Sequence, residues 1–207
     1  ALAKKAFEVY QQDHSVEGLI LFKHGIFTFG DTAKQTYNRM IEQVTLAEKR
    51  VVKGKKNVFV GAKMPKKIAS VAEVSPILRG LIGAAGRRVV MDFRTSISVR
   101  AYVNGKDVRR YSQKSTVTPD HVIRTKPNPL IVPAPDANNL DGFTKAAKKA
   151  LDAYQKSYRS YFDRQNKRVG FSKTELDLMP RIILVPGLGL FGLDGNAKSA
   201  AIVADLA

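Results

Sequence analysis

The length and composition of the chain are those of a globular protein, since 44% of its 207 residues are hydrophobic, and this excludes a largely disordered chain. The absence of cysteine excludes disulfides and thiolate metal sites, and no apolar run reaches the roughly 18 to 20 residues of a membrane span, so we expect a soluble, cytoplasmic protein. The net charge of +17 would suit nucleic acid or another polyanion.

The first fifty residues predict a helix, two short strands joined by a turn, and a second helix. These four segments are residues 1–12, 19–22, 26–29 and 31–50. The first strand is a continuous apolar run, which is the pattern of a strand buried on both faces. The second helix has an apolar stripe opposite its charged residues, and Asp31 or Thr32 suits its N-cap.

The rest of the chain predicts a basic connector at residues 51–67 and then a second mixed region. In chain order, that region is predicted to contain a helix broken at Pro76 (68–85), three strands of an antiparallel sheet (88–93, 97–103 and 107–111), a proline-rich crossing (117–140), a helix (142–166), and a strand, a glycine-rich turn and a final helix from about residue 196. Asn104-Gly105 is the expected turn of the sheet. The predicted fold class is mixed α/β in layers.

One segment of the chain recurs. Residues 19–34 align without gaps with residues 183–198, an offset of 164 residues. The identical pairs are Gly25 with Gly189, Phe27 with Phe191, Ala33 with Ala197, and Lys34 with Lys198. The same strand–turn–strand–helix plan is predicted around both copies, which favours two related lobes, although four identities in sixteen also arise by chance in apolar, glycine-rich sequence.

His24 occupies the turn of the first copy, where a side chain projects from two strands towards the end of the sheet. Residues 18–30 (GLILFKHGIFTFG) and the helix after them resemble the closing segment of the class II aldolase and adducin family, as does the helix at residues 1–8. In that family the histidine before this glycine is the last of three zinc-binding histidines. The resemblance therefore implies that His24 is a metal ligand; the alternative from the residues alone is a hydrogen-bonded structural histidine.

Residues 117–132 and 180–207 resemble the region that joins an aldolase domain to a short-chain dehydrogenase domain in bifunctional rhamnulose-phosphate aldolase and lactaldehyde dehydrogenase proteins. The resemblance implies a class II aldolase-like mixed sheet, zinc-dependent cleavage of a ketose phosphate, NAD for a dehydrogenase domain beyond residue 207, and a homo-oligomer. It also implies three domains: the C-terminal part of an aldolase-like domain (1–50), the connector (51–67), and a second, degenerate lobe (68–207).

The family's other two zinc ligands form a His-x-His pair close to an acidic catalytic residue, and the sequence contains no such pair. Its other histidines are His14, in a predicted surface loop, and His121, in a Thr-Pro-Asp-His turn that resembles a family turn. The chain is therefore expected to be an interior fragment without aldolase turnover. No catalytic or cofactor-binding residue is assigned in this chain. Leu188 occupies the position in the second lobe that is equivalent to His24, so the second lobe lacks the histidine ligand.

Two alternatives remain open. The glycines of the segment Gly187–Gly192 have the G-x-G-x-x-G spacing that places a pyrophosphate at a helix N-terminus, as in NAD(P)-binding oxidoreductases. The bulky Leu190 and Phe191 and the overlay on the first copy favour a strand there instead. The basic residues would suit a nucleic-acid-binding module, but they form no stripe along a single helix.

Overall fold

The computed structural model describes residues 2–54, 59–84, 86 and 88–207, so residues 55–58 of the predicted connector lie outside the described part. The described helices are α1 (Leu2–Gln12), α2 (Ala33–Val52), α3 (Val71–Ala84), α4 (Ile97–Val103), α5 (Val108–Tyr111), α6 (Val122–Thr125), α7 (Leu140–Arg168) and α8 (Ala197–Leu206), with a 3-10 turn at Pro119–His121. The described strands are β1 (Gly18–Leu21), β2 (Gly25–Thr28), β3 (Val90–Arg94), β4 (Leu130–Ile131), β5 (Ile182–Val185) and β6 (Gly189–Asp194). The predicted mixed α/β class is confirmed.

The chain divides into two compact units. Unit 1 comprises Ala1–Val58 with Val117–Pro119, and unit 2 comprises Phe59–Thr116 with Asp120–Ala207. None of the helices in the described residues is long and apolar enough to cross a membrane.

Unit 1 contains α1, the antiparallel hairpin β1–β2, and α2. As predicted, α2 begins after Thr32, whose Oγ1 accepts a hydrogen bond from the backbone N of Gln35 at 3.1 Å. The prediction that the first strand is buried on both faces is wrong, because Ile20 is 84% exposed. The physical reason is that no residue of β1 or β2 belongs to either hydrophobic core found among the described residues, so Ile20 has no layer packed over it.

Unit 2 is built on a four-stranded sheet in the order β3-β6-β5-β4, in which β4 is parallel to β5 and the other pairs are antiparallel. Each of the four residues of β5 is apolar and buried, as expected of a strand covered on both faces. Ile183 and Val185 pack into a core with residues of α3 and α7. Ile182 and Leu184 pack into a second core with residues of α4 and α8. The sheet therefore lies between two helical layers.

Two of the three strands predicted between residues 88 and 111 are helices. Residues 97–103 form α4, which begins after Ser96, whose Oγ accepts a hydrogen bond from Val99 N at 3.1 Å. Val99, Tyr102 and Val103 share one helical face, and this face packs on the second core. Residues 107–111 contain the short helix α5, and Asn104 is the C-cap of α4 rather than part of a hairpin turn. β-branched composition suggested strands, but burial of one helical face decided the conformation.

The predicted strand at residues 88–93 is confirmed as β3, although it pairs with β6. The helix predicted in two pieces is the single helix α3, because Pro76 lies in its second turn and the break in hydrogen bonding there stays local. A capping box starts α3: Ser70 Oγ accepts from Glu73 N at 3.3 Å, and a Glu73 carboxylate oxygen accepts from Ser70 N at 2.7 Å. The final helix begins after Asn196 as predicted.

Candidate functional site

The repeated segment forms the same local structure in both units. β1 and β5, the first residues of β2 and β6, and the starts of α2 and α8 all lie 164 residues apart. The strand registers also correspond, since Leu21 pairs with Gly25 as Val185 pairs with Gly189, and the pairing continues in step along both hairpins. The helix caps Thr32 and Asn196 occupy equivalent positions. The similarity of the two sequences therefore extends to strand pairing and helix capping.

His24 lies in the turn of the hairpin of unit 1. Its backbone N donates to the carbonyl of Leu21 at 2.8 Å, which closes the turn, and its side chain is exposed. Lys23, immediately before it, has a positive φ of 64°, a conformation that costs free energy for a residue other than glycine. The hairpin thus places His24 in the predicted turn, and its imidazole is exposed to solvent there.

The described residues do not bring other metal ligands to His24. Among them there is no group of three or more His, Asp or Glu side chains that could hold a metal ion. His14 is exposed in the loop after α1, as predicted, and its ring packs edge-on against Tyr10 with centroids 4.6 Å apart. His121 belongs to unit 2 and lies at the N-terminus of α6. The described residues offer one imidazole at this turn and by themselves do not fit a zinc site.

An apolar hollow of about 730 Å³ lies beside the hairpin in unit 1. Its walls come from α1 and from one face of the hairpin, with Phe7, Tyr10, Leu19 and Phe27 among its lining residues. Arg39 is at its edge, where Nη1 donates to the Phe29 carbonyl at 2.7 Å and Nη2 lies 3.1 Å from a carboxylate oxygen of Glu17. The hollow can accept apolar side chains, and its rim carries the ion pair between Arg39 and Glu17.

The equivalent turn of unit 2 is closed and apolar. Leu188 occupies the place of His24 and packs against the first core. Two hydrogen bonds hold this turn: Gly187 N donates to Asn104 Oδ1 at 2.7 Å, and Thr95 Oγ1 donates to the Leu188 carbonyl at 3.0 Å. Pro186 and Gly187 occupy the positions of Phe22 and Lys23, and Gly187 adopts the positive φ of 89° that glycine tolerates. This turn presents an aliphatic side chain where unit 1 presents an imidazole.

The glycines of the G-x-G-x-x-G spacing have packing roles in unit 2. A Cβ on Gly192 would lie 2.5 Å from Ala204 N, so α8 packs directly on the strand backbone there. A Cβ on Gly189 would collide with the Arg94 carbonyl. Both glycines belong to β6, and α8 starts only after Asn196. These contacts explain the glycines without a bound phosphate.

Unit 2 contains a buried polar cluster that the sequence analysis does not identify. The side chain of Lys126 is only 4% exposed, and its Nζ lies 4.0 Å from the centroid of the Tyr158 ring and 3.8 Å from a carboxylate oxygen of Asp177. The same ammonium donates to the Asp177 carbonyl. Asp177 also accepts two hydrogen bonds from Arg181, at 2.9 and 2.7 Å. One carboxylate therefore pairs with two largely buried cations.

The backbone and the tyrosines around this cluster are unusual as well. Lys126 has φ 59° and ψ 171°, a region that glycine occupies almost exclusively. Burial raises the pKa of Tyr154, whose hydroxyl has no hydrogen-bond partner among the described residues. The hydrogen bonds from Arg181 to Asp177 raise the pKa of the Arg181 guanidinium. The sequence offered two signals for this cluster, the position of Lys126 before Pro127 and the tyrosines at helical spacing. Neither signal indicates burial of a lysine.

Comparison with known proteins identifies a family that residues 69–207 match. Residues 69–207 match the family model described as "Aldolase class II, second domain". The chain is also similar to the protein named "Uncharacterized oxidoreductase YuxG" of Bacillus subtilis (strain 168), with 26% identity over 197 residues. That similarity covers 91% of this chain and 28% of the relative, so the chain spans less than a third of the relative's length. No solved structure matches the chain.

Proposed function

We infer that this chain, which belongs to the family of class II aldolase second domains, is part of a larger bifunctional enzyme of sugar metabolism. In this proposal unit 1 is the closing part of a zinc-dependent aldolase domain that cleaves a ketose phosphate of the rhamnulose-phosphate kind. Unit 2 is the second domain, has no metal of its own, and supports the assembly. The same polypeptide carries a short-chain dehydrogenase domain that uses NAD, works in the cytoplasm and forms homo-oligomers.

The observation that carries the proposal is the pair of matched hairpin turns. Both units have the same strand register and the same helix start, yet one turn exposes the imidazole of His24 and the other packs Leu188 against the first core. A turn held in place by a strand on each side is a suitable support for a metal ligand, because the ligand keeps its orientation without bound metal. The difference between the turns favours a metal-binding role in unit 1 alone.

Zinc in such an enzyme would act as a Lewis acid on the sugar phosphate. His24 would supply one neutral imidazole, and the remaining ligands and the acid/base residue would come from residues outside those described. Isolated residues 1–207 are therefore expected to have no aldolase turnover. The name of the Bacillus subtilis relative, an oxidoreductase, supports a dehydrogenase activity elsewhere in the longer polypeptide.

Retro-aldol activity of the longest polypeptide that the gene encodes tests the proposal. We expect cleavage of rhamnulose or fuculose 1-phosphate that requires zinc, and no cleavage by residues 1–207 alone. His24→Asn should weaken zinc binding at least about 100-fold, because it removes a ligand rather than a supporting residue. His121→Asn is the matched control in unit 2 and should leave zinc affinity and turnover unchanged. A long polypeptide that is folded but neither binds zinc nor cleaves either sugar would refute the assignment.

A further inference from the structure

The hairpin of unit 1 exposes apolar side chains that its counterpart in unit 2 buries. Ile20 is 84% exposed, whereas Leu184 at the equivalent position is 3% exposed. Phe27 is 53% exposed, whereas Phe191 is 2% exposed. Matched positions of one repeated structure thus face solvent in unit 1 and a core in unit 2. Exposed apolar groups along strands whose outer edges lack a partner mark a surface that binds another polypeptide.

Unit 2 shows which strands flank such a hairpin, while helices cover its two faces: Leu184 packs with residues of α4 and α8, and Phe191 with residues of α3 and α7. β4 lies parallel to β5, and Val132 N donates to the Leu184 carbonyl at 3.2 Å. β3 lies antiparallel to β6, with Phe93 opposite Phe191. Among the described residues of unit 1, β1 and β2 form a sheet of two strands without either neighbour. A two-stranded hairpin on its own is only marginally stable in water.

The hydrogen bonds of the hairpin identify the backbone groups that a neighbour would meet. Phe29 N donates to the Glu17 carbonyl at 3.4 Å, so these two residues bond across the hairpin. Because bonded and non-bonded pairs alternate along an antiparallel ladder, the pair Ile20–Ile26 points its backbone groups outwards. The Ile20 carbonyl is the counterpart of the Leu184 carbonyl, which is bonded in unit 2.

We propose that a neighbouring segment of a longer polypeptide completes the sheet of unit 1 by adding one strand parallel to β1 and another antiparallel to β2. The registers are those that β4 and β3 have in unit 2, and the added strands carry apolar side chains that lie beside Ile20 and Phe27. This mode of docking satisfies the outward backbone groups as well as the apolar surface. The match to YuxG covers only 28% of that protein, which leaves ample length for such a segment in a polypeptide of this kind.

This docking rests on the internal repeat and not on the proposed zinc chemistry, so an inactive protein would leave it standing. Hydrogen–deuterium exchange compares residues 1–207 with the longest polypeptide that the gene encodes. Amides of residues 18–28 should exchange at least about 100-fold more slowly in the long polypeptide, while residues 182–194 serve as a protected reference in both. Equally fast exchange of residues 18–28 in both, or a gene that encodes no further residues, would overturn the proposal.

The same measurement distinguishes another occupant. Protection of residues 18–28 in the short chain that increases with protein concentration would assign the surface to a second copy, and the proposal would be wrong. A matched pair of variants locates the added strand. Ile20→Lys should leave the short chain as stable as before but reduce the protection of residues 18–28 in the long polypeptide at least about tenfold, since it places a charge beside the apolar side chains of the new strand.

Leu184→Lys is the control at the equivalent position of unit 2. It should destabilise unit 2 in both the short and the long polypeptide, because Leu184 is 3% exposed in the core of unit 2. Unchanged protection in the long polypeptide with Ile20→Lys would show that no strand lies beside β1 and would contradict the proposed topology.

Discussion

Replacement of Asp177 by alanine should destabilise unit 2 far more than replacement of the lysine that it neutralises. Asp177 accepts two hydrogen bonds from Arg181 and lies 3.8 Å from the ammonium of Lys126, whose side chain is 4% exposed. Asp177→Ala removes the carboxylate that both cations share in a largely buried site. Breaking a buried ion pair by removing one partner costs about 3–5 kcal/mol, and we expect a loss of unfolding free energy in that range.

Lys126→Met tests whether the lysine contributes less stability to the same cluster than Asp177 does. The substitution keeps the aliphatic stem and leaves the bonds between Asp177 and Arg181 intact. It removes the cation–π contact with Tyr158, worth about 1–2 kcal/mol, and the hydrogen bond to the Asp177 carbonyl, worth about 1 kcal/mol. Lys148→Met is the control, because Lys148 pairs with Asp152 at 2.8 Å on an exposed face of α7 and exposed pairs contribute at most about 1 kcal/mol.

Urea unfolding followed by near-ultraviolet circular dichroism measures these three variants, since the chain has no tryptophan and three of its seven tyrosines lie along this part of α7. Exchange of the β5 amides identifies the transition that belongs to unit 2. The expected order of loss is Asp177→Ala, then Lys126→Met, then Lys148→Met. A loss for Asp177→Ala no larger than that for Lys148→Met would refute the assignment of a buried, mutually dependent cluster.

The other predictions concern packing, pH and charge. Gly192→Ala should destabilise unit 2 by about 1–3 kcal/mol in a thermal melt, because the added methyl meets the α8 backbone at 2.5 Å, whereas Gly195→Ala meets no atom within 4 Å and should be close to neutral. Burial raises the pKa of Tyr154 above its ordinary value of 10.0, so the unfolded chain loses this proton first. The contribution of the protonated Tyr154 to the free energy of unfolding is fully present below pH 10 and is lost as pH rises through the higher folded pKa. Tyr154→Phe should therefore reduce the loss of stability at alkaline pH. An unchanged dependence of urea unfolding on alkaline pH would contradict this prediction. RNA or DNA of mixed sequence should bind only weakly at physiological salt; tight binding that persists there would favour the nucleic-acid alternative.

Local sequence signals account for the hairpins and their helices. Apolar runs interrupted by short turns predict both strand pairs, and Thr32 and Asn196 predict the starts of the helices that follow. These features depend on residues close in sequence, so one sequence suffices to predict them. The recurrence of residues 19–34 was likewise readable from the chain, and the structure adds that the strand registers match.

Features that depend on distant contacts could not be predicted. Residues 97–103 have the β-branched content of a strand but form α4, since a core contributed by β5, β6 and α8 buries one helical face. Lys126 reads as a surface residue until Asp177, 51 residues later in the chain, meets its ammonium. The exposure of Ile20 depends on which elements pack on the face of β1, which the pattern of the strand itself does not reveal.

The zinc content of the longest polypeptide that the gene encodes is the most direct test of the central claim, that unit 1 contributes a metal ligand and unit 2 does not. When this polypeptide is purified without added metal, inductively coupled plasma mass spectrometry should find one zinc ion per chain. His24→Asn should lose that ion while the fold of unit 2 is retained. Two zinc ions per chain, or one that persists after His24→Asn, would contradict the account.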